Sequence, residues 1–148
     1  MMPDYLPDRH EAGTHNMPGI AGLLQGLRFV ERLGVAEIAR RENALLRAAV
    51  RGLKEIDELR LYTAPRIEEQ APVLSFTARG RDSQTLAEAL SRRGFALRAG
   101  LHCAPLAHET AGTAPGGTVR LSLSVFNTAA ELRRFAAVLK ELLRKKPV

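Results

Sequence analysis

The segment 117-GTVRLSLSVFNTAAEL-132 determines the fold that the rest of the chain has to match. Its apolar residues at 119, 121 and 123 alternate with polar ones, which predicts a strand over residues 118–125 with one buried face. Thr128 and Glu131 stand at the spacing of a capping box, so a helix is predicted to begin directly after the strand. A strand followed at once by an amphipathic helix favours a layer of helices packed on a sheet.

The sequence upstream of this segment predicts elements of the same two kinds. Apolar residues at helical spacing follow Asn16, a good N-cap, and Gly34 provides a stop before a second long helix. The predicted elements are helices over 18–34, 35–56 and 83–93, strands over 59–62, 73–77 and 95–98, and a long loop over 99–117. The first two helices are expected to form a bent pair on one core. The order of elements predicts an α+β fold: a two-layer domain with a mainly antiparallel sheet and helices packed on one face.

The composition is that of a globular chain of one domain. The 148 residues are enough to bury a core, with 45% hydrophobic and 26% charged residues. No apolar run reaches the roughly 20 residues of a membrane-spanning helix, so no membrane partner is predicted. A single cysteine favours a reducing, cytoplasmic setting. The net charge of +6 is spread over several helices without a nucleic-acid motif, so nucleic acid is the lowest-ranked alternative partner.

The stretch Arg98–His108 carries the densest chemistry in the sequence. Cys103 lies in the predicted long loop beside Arg98, His102 and His108, where positive charge or a local base can favour a thiolate. The competing interpretation, a small buried apolar residue, is the usual one for a lone cysteine and has equal weight here. The two histidines do not predict a metal site, because no second cysteine or carboxylate cluster completes a ligand set.

Two further features are compatible with anion binding. Arg120 lies on the predicted strand after the loop, where its guanidinium can grip a carboxylate with two hydrogen bonds. Taken on its own, however, Arg120 is better interpreted as a solvent-facing strand residue. The segment 13–19 offers a hydroxyl and free backbone N–H groups at a helix start, which suits a phosphate, although capping by Asn16 alone explains it equally simply.

Three segments together carry a family resemblance. LPDRHEAGTHNMPGIAGL (6–23), RAGLHCAPLAH (98–108) and GTVRLSLSVFNTAAEL (117–132) resemble consecutive blocks of the class V aminotransferases, in their cysteine desulfurase and selenocysteine lyase branch. The middle block is the one that distinguishes this branch. The resemblance implies the C-terminal small domain of a fold-type I enzyme that uses pyridoxal phosphate (PLP). Residues 1–16 would then be a lead-in from a large domain, and residues 17–148 the small domain itself.

The resemblance also implies roles for five residues. Cys103 matches the nucleophile that takes sulfur from L-cysteine as an enzyme persulfide and leaves alanine, and His102 is its motif neighbour. Arg120 matches the arginine that binds the substrate carboxylate, and Arg98 a supporting arginine near the same pocket. Thr14 matches a residue that reaches the PLP phosphate of the partner subunit in the family dimer.

The chain departs from the family in lacking a counterpart of the PLP lysine. Its four lysines all stand in predicted helix or tail segments: Lys54, Lys140, Lys145 and Lys146. We therefore expect PLP to be bound mainly by a large-domain chain, and this chain to be inactive alone, as a truncated product, a split half or an excised domain.

The expected partners are that large-domain chain or a homodimer mate, L-cysteine and a sulfur acceptor protein. A non-catalytic sulfur carrier or binding module is the alternative. Apolar surface left exposed without the large domain predicts self-association.

Overall fold

The computed structural model describes residues 3–11 and 13–144, and its contacts divide the chain into two units. The first unit ends at Ile38 and the second starts at Ala39. The first contains a short 3-10 helix, Asp8–His10, and the long helix α1, Met17–Leu33. The next helix, α2, Val35–Lys54, runs across the division.

Helix α1 begins and ends as predicted. The Asn16 side chain accepts a hydrogen bond from the Gly19 backbone N–H at 3.0 Å, and Gly34, at φ 82°, donates its N–H to the Val30 carbonyl. The helix nevertheless buries none of its residues, so the expectation that it packs on a core is wrong for this chain. Its exposed large apolar side chains are Met17, Ile20, Leu23, Leu24, Leu27 and Val30.

The second unit is built on a four-stranded antiparallel sheet. Its strands are β1 (Leu59–Tyr62), β2 (Val73–Ala78), β3 (Arg98–Gly100) and β4 (Thr118–Ser122), in the order β1-β2-β4-β3. The helices that follow α2 are α3 (Ser83–Ser91), α4 (Pro105–Thr110) and α5 (Ala129–Arg144). The predicted α+β fold with an antiparallel sheet is confirmed.

One face of the sheet and three helices form the core. Strand residues alternate, so that Leu74, Phe76, Val119 and Leu121 are all buried while their neighbours in sequence face the other way. The helical side chains buried with them are Leu46, Ala49 and Leu53 of α2, Leu86, Ala87 and Leu90 of α3, and Leu132, Phe135 and Leu139 of α5. Each large apolar side chain buried in this way contributes about 1.5–3 kcal/mol to stability.

The opposite face of the sheet is polar, and we call it the arginine face. Its polar members are Arg60, Tyr62, Ser75, Thr77, Arg98, Thr118, Arg120 and Ser122, which alternate with the core residues, and Val73 lies on the same face. Pairing between strands places Tyr62 opposite Ser75, Ser75 opposite Arg120, and Arg120 opposite Arg98. A single row of paired residues therefore crosses the whole sheet on this face.

Caps hold the ends of α3 and α5, and the sequence predicted the one at the start of α5. The Thr128 backbone N–H donates to Glu131 Oε2 at 2.7 Å and the Glu131 N–H donates to Thr128 Oγ1 at 3.2 Å, which confirms the capping box. Asp82 accepts from the Thr85 N–H at the start of α3. At the other end of α5, Arg81 donates to two of the last carbonyls.

Two predicted boundaries are wrong around the Cys103 segment. The strand expected over 95–98 begins only at Arg98 and ends at Gly100, because β4 offers partners to those three residues. Phe95 instead packs its ring against Phe135, with ring centroids 5.3 Å apart. The expected loop over 99–117 contains the helix α4, whose Pro105 stands in the first turn, where its missing N–H is not needed.

Candidate functional site

The segment that carries Cys103 joins two neighbouring strands, β3 and β4, and we call residues 101–117 the cysteine loop. Its two ends meet. Gly117 is buried at φ +66°, and the backbone of Gly100 occupies the space that a Cβ on Gly117 would need. The Gly117 carbonyl accepts a hydrogen bond from the buried Ser83 hydroxyl at 3.2 Å, and its N–H donates to the Thr113 carbonyl at 2.7 Å. The base of the loop is therefore fixed to both the sheet and α3.

Cys103 is exposed, with a free thiol. The interpretation of this cysteine as a buried apolar residue is therefore wrong. His102 and Cys103 both have left-handed backbone angles, φ 49° and φ 61°. Each such residue costs roughly 1–2 kcal/mol when it is not glycine, so other contacts of the loop must offset the strain. One of them is a turn in which the Ala104 N–H donates to the Leu101 carbonyl at 2.8 Å.

His102 is partly buried beside this thiol and is bonded to β4. Its Nε2 lies 3.2 Å from the Thr118 carbonyl oxygen. A carbonyl only accepts, so Nε2 carries the proton in this contact and Nδ1 is the free acceptor of the neutral ring. Burial, followed by the positive charge of Arg120, lowers the pKa of His102. The neutral, proton-accepting form is thus favoured at neutral pH.

Arg98 and Arg120 lie directly opposite each other on β3 and β4. Like charges in this position are destabilising. Arg98 is exposed, whereas Arg120 is partly buried and its Nε is inaccessible to solvent without a hydrogen-bond partner. The buried hydroxyl of Thr118, two residues earlier on β4, also has no partner. Unpaired buried donors beside a second guanidinium suit a bound anion such as a carboxylate.

Thr14, the remaining residue predicted to act in the site, belongs to the first unit. It is exposed and stands two residues before the N-cap Asn16, next to Gly13 at φ +93°. Its role toward a phosphate stays a prediction.

The structure thus groups four of the five predicted residues around the cysteine loop and the adjoining strands. It also adds a contact that the sequence did not indicate. His108 is the buried residue of α4; its Nδ1 lies 2.7 Å from Thr113 Oγ1, and its ring centroid lies 5.8 Å from that of His102. The sequence showed that His108 flanks Cys103, but its burial depends on how α4 folds back on the loop.

Other kinds of site are not found in the part of the chain that the structure describes. Residues 3–11 and 13–144 contain no group of three or more histidine, cysteine, aspartate or glutamate side chains that could hold a metal ion. Within the same ranges, every helix is too short or too polar to cross a membrane.

Comparison with known proteins gives a consistent set of similarities. Residues 3–135 match the model of the Aminotransferase class-V family. A probable cysteine desulfurase of Xylella fastidiosa is 41% identical over 90% of this chain and 31% of its own length. A probable cysteine desulfurase of Mycolicibacterium paratuberculosis is 39% identical over 92% of this chain and 19% of its own length.

Solved structures agree with these sequence relatives. The apo structure of a cysteine desulfurase from Thermococcus onnurineus superimposes with a TM-score of 0.84 at 35% identity, over 93% of this chain and 34% of the other. A cysteine desulfurase from Escherichia coli gives a TM-score of 0.78 at 25% identity, over 90% of this chain and 32% of the other. The chain therefore spans between 19% and 34% of the length of the proteins that it matches here.

Proposed function

Because this chain belongs to the class V aminotransferase family, we propose that it is the C-terminal small-domain part of a PLP-dependent cysteine desulfurase, residues 1–16 being a lead-in and residues 17–148 the domain itself. This enzyme is a transferase that moves sulfur from L-cysteine to Cys103 and releases alanine. The observation that carries the proposal is the exposed Cys103 thiol, held in a left-handed turn next to His102, whose pKa is lowered by burial and by Arg120. A thiolate is the soft nucleophile that sulfur transfer requires.

His102 and Cys103 have different roles in the sulfur transfer: His102 accepts a proton and Cys103 is the nucleophile. The lone pair on His102 Nδ1 is the acceptor for the Cys103 proton, since Nε2 is engaged with Thr118. The Cys103 thiolate then attacks the sulfur of the substrate. A sulfur–sulfur bond forms as the bond from Cβ to sulfur breaks, and Cβ takes up a proton to give alanine. The product on the chain is a Cys103 persulfide, ready for a sulfur acceptor protein.

Arg120 is the residue that we assign to the carboxylate of L-cysteine. Its Nε is desolvated and without a partner in the described part of the chain, so an arriving carboxylate satisfies a donor that is otherwise costly. Arg98, opposite it on β3, adds positive charge at the same place in a supporting role.

The described lysines do not fit the role of PLP carrier. PLP supplies the electron sink for this chemistry, and enzymes carry it on a lysine as a Schiff base. Lys54 and Lys140 are exposed on α2 and α5, helices that pack on the core side of the sheet, whereas Arg120 lies on the arginine face. Lys145 and Lys146 lie outside the described residues. We therefore assign PLP to a large-domain chain, with Thr14 reaching the cofactor phosphate of a homodimer mate, and the chain alone is inactive.

A sulfur carrier is the second candidate. The exposure of Cys103 favours it, because an external desulfurase can reach the thiol without any contact between this chain and PLP. Both candidates use a persulfide and suit a reducing, cytoplasmic setting. They differ in whether this chain takes part in the cleavage of L-cysteine.

The test uses the full chain with PLP and L-cysteine, and measures released alanine together with the intact mass of the chain. Alone it should release no alanine. After addition of the part of the Xylella fastidiosa relative that this chain does not match, we expect alanine and one added sulfur on Cys103. Cys103→Ser should lose both signals.

Two other outcomes would change the conclusion. Alanine formed by the chain alone, and lost in Cys103→Ser, would mean that one of its own lysines holds PLP. Sulfur loading of Cys103 by a complete external desulfurase, with no alanine from the chain together with the added part of the relative, would support the carrier.

A further inference from the structure

His108 is the buried exception on an otherwise exposed short helix. Every other residue of α4 is exposed, as are Cys103 and Ala104 before it, but His108 retains only 8% of its accessible surface. Burying an imidazole is unfavourable unless its nitrogens find partners. The burial of His108 on an otherwise exposed helix therefore needs a specific partner to explain it.

The partner of His108 is Thr113, itself 8% exposed. His108 Nδ1 lies 2.7 Å from Thr113 Oγ1, and Thr113 Oγ1 donates to the His108 carbonyl at 3.3 Å. A hydroxyl has one proton, so both contacts are satisfied together when Nδ1–H donates to Oγ1. The Thr113 N–H also donates to the His108 carbonyl, at 2.8 Å, and the Gly117 N–H donates to the Thr113 carbonyl. A chain of hydrogen bonds thus runs from α4 to the start of β4.

The other side of the loop is tied to β4 through His102. Its Nε2 lies 3.2 Å from the Thr118 carbonyl, and its ring stands 5.8 Å from the ring of His108, tilted by 45°. The two imidazoles are therefore neighbours, one bonded directly to β4 and the other bonded through Thr113. His102 and Cys103 form the left-handed pair of the loop, and their backbone strain needs such support.

We infer that His108 is a positioning residue: bonded to Thr113, it holds the ring of His102 against β4 and thereby fixes the turn that presents Cys103. The role of the turn in sulfur transfer rests on the proposed function, whereas the positioning itself does not. His108 acts through its neighbour and is not assigned contact with the substrate.

The electrostatics around His102 give this inference a measurable consequence. The charged and titratable groups that face His102 are Arg98 from β3, Arg120 from β4 and His108 from α4. Burial is the largest influence that lowers the pKa of His102, followed by Arg120, while its hydrogen bond to Thr118 raises it. If the loop loosens, both the burial of His102 and the effect of Arg120 on it weaken. The pKa of His102 then moves up toward its ordinary value of about 6.5.

The experiment compares Thr113→Val, which removes the hydroxyl at nearly constant shape, with Thr113→Ser, which keeps it. The full chain is labelled with ¹⁵N-histidine, and the ring resonances are followed by NMR from acid to alkaline pH. His102→Gln identifies the His102 signals. We expect Thr113→Val to raise the His102 titration midpoint and Thr113→Ser to restore the wild-type value. His108→Phe, with a ring but no donor, should behave like Thr113→Val.

A His102 titration that is unchanged in both Thr113→Val and His108→Phe overturns the inference, even if both variants melt at lower temperature. In that case His108 is only a structural residue. If Thr113→Val does not fold, Thr113→Ala, which also lacks the hydroxyl, takes its place, because His108→Phe additionally removes the charge by which His108 itself lowers the pKa of His102. The measurement needs neither PLP nor L-cysteine, so the inference and the proposed function can fail independently.

Discussion

Gly117 and Gly100 are in such close contact that a Cβ on Gly117 would lie 2.3 Å from both the carbonyl carbon and the carbonyl oxygen of Gly100. The contact joins the end of β3 to the residue before β4, at the base of the cysteine loop. The clashing atoms belong to the backbone and cannot rotate away. A side chain at position 117 therefore forces the two strands apart or changes the course of the loop.

Gly117→Ala should destabilise the chain more than alanine at either of two nearby glycines. Its positive φ costs about 1–2 kcal/mol, and the clash with Gly100 adds about 1–3 kcal/mol. Gly112 has the same φ of +66° with nothing within 4 Å of a Cβ, so Gly112→Ala should show the first cost alone. Gly116 has open space and no positive φ, so Gly116→Ala should stay within about 0.5 kcal/mol of the wild type. Urea unfolding measures all three, and equal losses at 112 and 117 would refute the contact.

Arg120→Met should make the isolated chain more stable while it abolishes sulfur transfer in the assembled enzyme. The substitution removes a buried donor without a partner and a like charge opposite Arg98. We expect a gain of about 1 kcal/mol in the free energy of unfolding. Arg60→Met is the control on the same face: Arg60 is exposed over the Tyr62 ring, 5.2 Å from its centroid, and should give no gain. A loss of stability in Arg120→Met would show that Arg120 is already satisfied.

Acid should weaken the fold through His102. Since burial and Arg120 lower its pKa in the folded chain, the unfolded chain binds the proton more readily. Stability is then fully present above the ordinary pKa of 6.5 and falls as pH drops from there toward the folded-state pKa. His102→Gln keeps an N–H for Thr118 but does not titrate. Between about pH 7.5 and about pH 5.5, on either side of the ordinary histidine pKa, the wild type should lose more unfolding free energy than His102→Gln. Equal losses would contradict the lowered pKa.

The exposed apolar face of α1 should cause self-association when no large-domain chain is present. Sedimentation velocity over a range of concentrations should show species larger than the monomer. Leu23→Glu with Leu27→Glu places two charges in this face and should return the chain to the monomer. Ala21→Glu with Gln25→Glu adds the same charges on another side of the helix and should not. A wild type that stays monomeric at every concentration would show that this face needs no partner.

Much of the fold could be predicted from local patterns. The capping box at Thr128 and Glu131, the N-cap at Asn16 and the alternation over β4 are each contained in a few consecutive residues, and the structure has all of them. Strand β3 could not be placed in this way. Phe95 and Leu97 alternate like strand residues, but a strand needs partners, and in this segment only Arg98–Gly100 pair with β4.

The candidate site shows the same division between local and long-range information. The residues around Cys103 stand together in the sequence, so their grouping was predictable. The pairing of Arg98 with Arg120 depends on strand register, and the burial of His108 depends on the path of α4, which no local pattern records. The Pro105 at the start of α4 was the one local sign of that helix.

The strand order β1-β2-β4-β3 has a consequence for synthesis on the ribosome. As the chain emerges, β2 has only β1 beside it, and its second partner does not appear until the chain has grown from Ala78 to Thr118. Strand β3 emerges earlier than β4 and has no other partner in the sheet. The four-stranded sheet can therefore be completed only after β4 has entered between two strands that both precede it in the chain, which makes its assembly depend on contacts distant in sequence.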